Sequence, residues 1–240
     1  MSQNNFASHP PQIVADSGGT PESDLDRLGA FARAGDETAF RQIVEKYRRL
    51  VYSAALRRCG HRELAEEAMQ NTFAVLARKS GHLLKHPTLS GWLHRTSMLE
   101  ASTLLRGERT RRRKHSELME LETVQYSTGS SPSPASGPEL DEALARLPAR
   151  DRDVILMRFY EGMSFDEIGE RLGKSNAACQ KRSHRAVRKL SQLLAKPGSP
   201  AVGGAAVALA VSTQLADASP LSPAAAIADC AIARSSEVTI

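Results

Sequence analysis

Apolar residues recur every three to four positions along most of the chain, and strand-like alternation is missing, so each predicted element is a helix. The first begins near Glu22, with Leu25, Leu28, Phe31 and Ala32 on one face, and Gly35-Asp36 ends it. The second turns Phe40, Ile43, Val44, Tyr47, Val51 and Ala54 or Ala55 inward and lines its flank with Arg48, Arg49, Arg57 and Arg58. In HRELAEEAMQNTFAVLARK, Leu64, Ala68, Thr72, Val75 and Leu76 face inward with Phe73 nearby. Glu63, Glu66, Glu67, Gln70 and Asn71 take the polar side, which by itself reads as a solvated face. Residues 80–90 hold Gly and Pro and read as a loop. A helix from Gly91 follows, with Trp92, Leu93, Thr96, Leu99, Thr103 and Leu104 at core spacing and Trp92 as an anchor.

Periodicity is lost at residues 1–21, which read as disordered, and at 116–138, where STGSSPSPASGP reads as a flexible linker. Helices resume at Glu139 with Leu140, Leu144 and Leu147 on one face, and Pro148 separates this helix from the next. Val154, Ile155, Arg158 and Phe159 share a face there, and Gly162 stops it. Ser164 with Glu167 forms a capping box, starting a helix with Phe165, Ile168 and Leu172 on one side. Gly169 is small enough for a second helix to cross close by, Gly173 suits a left-handed cap, and Ser175 caps the helix after it. In that last helix Cys179, Ser183, Ala186, Leu190 and Leu193 form the inward stripe. Ala177, Lys181, His184 and Arg188 lie opposite, flanked by Gln180 and Arg185. Residues 197–240 are rich in Ala, Ser, Gly and Pro. Their AVGGAAVALAVSTQLA run is too short and too soon interrupted for a membrane span, so they read as a soluble tail without a readable role.

Composition sharpens this picture at three points. Aromatics make up only 5% of residues, so the class is all-α: two small helical domains at 22–115 and 139–196, a linker at 116–138 and a tail at 197–240. The net charge of +5 is modest, but its cations cluster at 106–115 and 174–196, and no Asp or Glu lies between Lys174 and Lys196. A helix macrodipole accounts for some cations after Arg106, but six between 106 and 114 exceed that need and suit phosphate. The acid-free helix, preceded by a capped helix and a tight turn, reads as a helix-turn-helix entering a DNA groove rather than a solvated hairpin. Cys59, Cys179 and Cys230 are too scattered for a disulfide framework or metal site, which fits a reducing cytoplasm. The first residues carry no signal-peptide pattern. HRELAEE lacks the paired histidines of HExxH, and no nucleophile–base pair is readable. No catalytic residue, metal ligand or cofactor is predicted, so the chain reads as a non-enzyme.

Two blocks then resemble one family. LPARDRDVILMRFYEGMSFDEIGERLGKSNAACQKRSHRAVRKL resembles the fourth conserved region of bacterial RNA polymerase sigma factors. The runs AFRQIVEKYRRLVY, ELAEEAMQNTFAVLA and GWLHRTS resemble the second conserved region. Their order, separated only by a linker, resembles the extracytoplasmic-function class of the sigma-70 family over residues 22–195. The resemblance implies that Glu63, Glu66, Glu67, Gln70 and Asn71 dock on the clamp of core RNA polymerase, with Phe73 and Leu76 as apolar supports. It implies that the loop at 81–90, including Leu83, captures a flipped base of the promoter −10 element. Trp92, Arg95, Leu99, Arg106, Arg109, Arg111, Arg112 and Arg113 would line the melted strand. Asn176, Ala177, Gln180, Lys181, Arg182, His184, Arg185 and Arg188 would face the −35 element, with Gln180 suited to adenine and the cations to guanine and phosphate. Leu99 stands where many members carry Asn, and Cys179 and Ser183 replace larger aliphatic residues. The implied partners are core RNA polymerase and promoter DNA, with room for an anti-sigma factor and no membrane.

Two other classes fit the residues less well. A stand-alone helix-turn-helix regulator would bind a symmetric duplex by itself. A basic helical adaptor would show no steep salt dependence on DNA.

Overall fold

The structure, a computed structural model, describes residues 23–118, 137–195, 210–211 and 220–236. The readings on residues 1–21, on most of the linker and on much of the tail lie outside these. Among the described residues every regular element is a helix: α1 (Asp24–Ala34), α2 (Glu37–Cys59), α3 (Arg62–Leu83), α4 (Ser90–Leu118), α5 (Gly137–Arg146), α6 (Ala149–Phe159), α7 (Phe165–Leu172), α8 (Asn176–Leu194) and α9 (Ala224–Ser236).

Local chemistry sets the boundaries. Ser23 Oγ accepts from the Asp26 amide at 3.2 Å and the Asp26 carboxylate accepts from the Ser23 amide at 3.0 Å, so α1 opens on a capping box. The bonds from Ser23 hold the Asp26 carboxyl below its usual range. Asp36 caps α2 through the Ala39 amide, and Gly60 closes it at φ 72°. The loop expected at 80–90 is shorter, because α3 runs on to Leu83. Phe73, Leu76, Ala77, Ser80 and Leu83 continue one buried stripe, and that burial overrides the weak helix preference of Ser80 and Gly81.

The helices α1–α4 form one bundle around Phe40, Ile43, Tyr47, Met69, Phe73, Leu76 and Leu93, all fully buried. In α4 the inward face differs from the expected one. It carries Leu93, His94, Ser97, Met98 and Ala101, while Leu99 is 56% exposed, Thr103 is exposed and Trp92 is half-buried. Two polar members of this face find partners. Ser97 Oγ donates to the Val51 carbonyl at 2.7 Å, and His94 meets Asp141 at 3.0 Å. The second bundle, α5–α8, packs a small cluster of Val154, Met157, Ile168 and Cys179 under the α7–α8 turn. Its Leu140, Leu144, Ile155, Leu156, Ala186 and Leu190 join the core of the first bundle, so α5 and α6 lie against α2 and α4. The last helix, α9, lies on α2 and α3.

Candidate nucleic-acid and polymerase interfaces

The α7–α8 pair folds as its sequence dictates. Ser164 and Glu167 make a reciprocal cap at 3.2 and 2.7 Å, and Gly173 turns the chain at φ 61°. A Cβ on Gly169 would lie 2.6 Å from the Lys174 carbonyl oxygen, so this glycine admits the returning turn rather than a crossing helix. The Lys174 amide donates to the Gly169 carbonyl at 2.8 Å, and Ser175 Oγ caps α8 through the Ala178 amide at 3.3 Å. Cys179, Ser183, Ala186 and Leu190 are buried as expected, but Leu194 rather than Leu193 completes the stripe.

The outer face of α8 presents Asn176, Ala177, Gln180, Lys181, His184, Arg185 and Arg188 to solvent. Asn176 Nδ2 donates to Asp166 at 2.8 Å, which fixes the start of the helix. Arg182 also reaches back to the body of the domain. Its Nη1 donates to Asp151 Oδ1 at 3.1 Å while Lys189 Nζ donates to Oδ2 at 2.8 Å, so Arg182 braces α8 on α6. The remaining exposed face is one of cations and amides on a rigid helix.

The second group of expected DNA contacts lies on and around α4. Leu83 is only 3% exposed and supports the start of the 84–89 loop from beneath, so it cannot touch a base in this arrangement. Trp92, Arg95 and Leu99 share a cavity of about 380 Å³ with Lys79, and Arg152 and Asp153 of α6 complete its wall. An aromatic face beside cations in a concave site suits a stacked base with its phosphate. Arg106, Arg109, Arg111, Arg112 and Arg113 are exposed along the distal part of α4. Glu108 accepts from Arg112 at 2.9 Å and pairs with Arg111 at 3.5 Å, and the Arg112 bond leads in holding its carboxyl below the usual range.

The polar side of α3 is divided. Glu63 and Glu67 are exposed, and Glu66, Gln70 and Asn71 are half-buried. Phe73 is completely buried, so it supports the helix and offers nothing to a partner. The Leu221 amide donates to Glu66 Oε1 at 2.6 Å, and Cys230 Sγ lies 3.8 Å from Gln70 Oε1.

Sequence reasoning missed the polar junction between the bundles. Asp141 is 1% exposed and receives Arg57 Nη2 at 3.1 Å and His94 Nε2 at 3.0 Å. Burial alone would raise its carboxyl, but bonds from His94 and Arg57 more than offset that and hold it below the usual range. Nearby, Arg152 donates to the carbonyls of Gly91 at 3.2 Å and Leu147 at 3.2 Å. Burial pushes the Asp153 carboxyl up to about 6, with Arg152 pulling it down and Glu161 pushing it up. Glu161 accepts from Thr88 at 2.9 Å, and Tyr160 donates to the Lys46 carbonyl at 3.0 Å. The signal in sequence was Asp141 beside the apolar face of α5, and Asp-Arg-Asp at 151–153 opening an otherwise apolar helix. Both read naturally as solvated charge.

The sigma-70 region 2 family matches residues 43–111, and the sigma-70 region 4 family matches residues 138–190. The ECF RNA polymerase sigma factor SigE of Mycolicibacterium smegmatis is 30% identical over 190 residues, covering 75% of this chain and 72% of that protein. The ECF RNA polymerase sigma factor SigM of Mycobacterium tuberculosis is 27% identical over 190 residues, covering 77% and 94%. BldN, an ECF RNA polymerase sigma factor of Streptomyces coelicolor, is 26% identical over 182 residues, covering 72% and 69%.

A bundle carrying region 2, joined to a helix-turn-helix carrying region 4, defines a transcription initiation factor of the sigma-70 type rather than an enzyme. The chain belongs to the ECF RNA polymerase sigma factors. Among the described residues no group of His, Cys, Asp and Glu is placed to hold a metal ion, and no helix is long and apolar enough to cross a membrane.

Proposed function

We propose that this sigma factor docks on the clamp of core RNA polymerase through the acidic side of α3 and directs the enzyme to promoters in the cytoplasm. Glu63, Glu66, Glu67, Gln70 and Asn71 meet the polymerase, with Phe73 holding the helix from beneath. The α8 face from Asn176 to Arg188 reads the −35 element in the major groove. Lys181, Arg185 and Arg188 take guanine edges or phosphates, and Gln180 suits adenine. The cavity at Trp92, Arg95 and Leu99 takes an unpaired base of the −10 region, and the arginines from Arg106 to Arg113 hold the strand backbone. Unpaired bases stack on aromatic faces while cations track the phosphates, so the melted state is stabilised without any chemistry by this chain. The polymerase performs the reaction. An anti-sigma factor fits as a further partner of the same faces.

The observation that carries this reading is the segregation of charge: acidic side chains on one side of α3, cations without acids on the outer face of α8. The test is co-purification with core RNA polymerase followed by transcription from a genomic DNA library. Stable association and discrete new start sites are expected, and E66K/E67K should weaken association at least tenfold. A protein that ignores polymerase yet protects a palindromic duplex alone would be an ordinary regulator, and the α3 assignment would fail.

A further inference from the structure

The tail helix α9 lies beyond residue 190, where the family match ends, yet it is seated on the helix assigned to polymerase docking. Its sequence explains why it forms. Pro220 and Pro223 precede it, and the Pro223 carbonyl accepts the first helical bond, from the Ile227 amide at 3.1 Å. Ile227, Ala228 and Ala231 recur at helical spacing and are fully buried on the groove between α2 and α3. Small alanines let α9 approach closely, and polar contacts fix its register. Arg41 donates to Asp229 Oδ1 from Nε at 3.1 Å and from Nη2 at 2.8 Å. The Leu221 amide takes Glu66 Oε1, and Cys230 sits on Gln70. The second oxygen, Glu66 Oε2, is buried with no hydrogen-bond partner among the described residues. The tail thus engages one oxygen of a carboxylate whose other oxygen is buried and unpaired, so the polar part of this contact adds little to its apolar burial.

We propose that α9 is a built-in competitor for the polymerase-docking face of α3, so that the tail must leave before the chain engages core RNA polymerase. The proposal rests on the assignment of α3 given above. While α9 is seated, Leu221 and Cys230 hold the polar atoms of Glu66 and Gln70 that a clamp would otherwise engage. Apparent affinity is then reduced by the fraction of molecules with α9 released. The alanine-rich contact area and the unsatisfied Glu66 oxygen point to a releasable clasp rather than a permanent part of the bundle.

The experiment measures binding of core RNA polymerase to the full chain, to the chain ending at Ala195, and to two full-length variants, I227D and D229K. I227D places a carboxylate in the buried stripe, and D229K sets two cations against each other at Arg41 without touching the core. The truncated chain and I227D are expected to bind roughly tenfold tighter, and D229K roughly threefold tighter, with helical content otherwise retained. Equal binding by all four overturns the competition and leaves the sigma-factor reading intact. Weaker binding by the truncated chain and D229K makes α9 part of the docking surface and likewise overturns it. Binding by none of the four removes the α3 assignment itself. Should the truncated chain aggregate through its uncovered groove, D229K, altered only at the surface, decides the matter.

Discussion

Asp141 is a single carboxylate shared by a guanidinium from α2 and an imidazole from α4, all three withdrawn from bulk water. Removing one member of a buried charged set takes a compensating charge from the others while they stay desolvated, which costs about 3–5 kcal/mol. D141A should therefore lower stability by roughly that amount in chemical denaturation. D141N keeps the shape and one acceptor, so it should cost less. A loss in D141A no greater than about 0.5 kcal/mol, the scale of a neutral surface change, would show that the junction is open in solution. The Asp141 carboxyl lies below its ordinary value, so its contribution is present above that value and fades only as pH falls through the depressed one. Asp141 itself therefore brings no pH dependence near neutrality.

At the scale of the element, what was legible depended on whether a helix settles its contacts within itself. The α7–α8 pair could be read nearly residue by residue, because the Ser164 box, the Gly173 turn and the Cys179 to Leu190 stripe are local features. The ion pair of Arg182 was not legible because its partner, Asp151, stands on another helix. In α4 apolar spacing pointed to Leu99 and Thr103, while the true inner face carries His94 and Ser97. Those polar side chains are inside because Asp141 and the Val51 carbonyl wait for them, and neither is visible from α4 alone. The α9 stripe was invisible for a related reason: alanines give little periodic signal until a groove exists to receive them. A prediction for α8 follows from its exposed cations. Each phosphate contact removed should flatten the slope of log affinity against log salt by about 0.9. K181A and R188A, measured as holoenzyme on promoter duplex, should each show that change if they meet phosphate. Q180A should instead lower discrimination between base pairs and leave the slope alone. A slope unmoved by either cation change would turn the face away from the backbone.

For the whole molecule, α6 supplies Arg152 and Asp153 to the wall of the Trp92 cavity, so we expect the seating of the second bundle to limit how much of a strand the site proposed above can admit. Gly91 shows how close the approach is, since a side chain there would collide with the Asp153 carboxylate. Asp153 is thus charged at a cost while closed, its carboxyl rising from 3.8 to about 6 through burial between α6 and the start of α4. The closed form takes up a proton, so the contribution of Asp153 to closure is fully present below about 4 and is lost as pH climbs through about 6. The shift corresponds to an upper limit of about 3 kcal/mol. Trp92, the sole tryptophan, lines the same cavity and reports on it directly. Its emission should move as pH is lowered from 7.5 to 5, with a midpoint no higher than about 6, and D153N should remove that transition while holding the closed emission throughout. D153N holoenzyme should accordingly bind a single-stranded −10 oligonucleotide more weakly at pH 7.5. If its emission and oligonucleotide affinity match the parent at every pH, α6 is no gate, and the cavity is open to DNA without any movement of the second bundle.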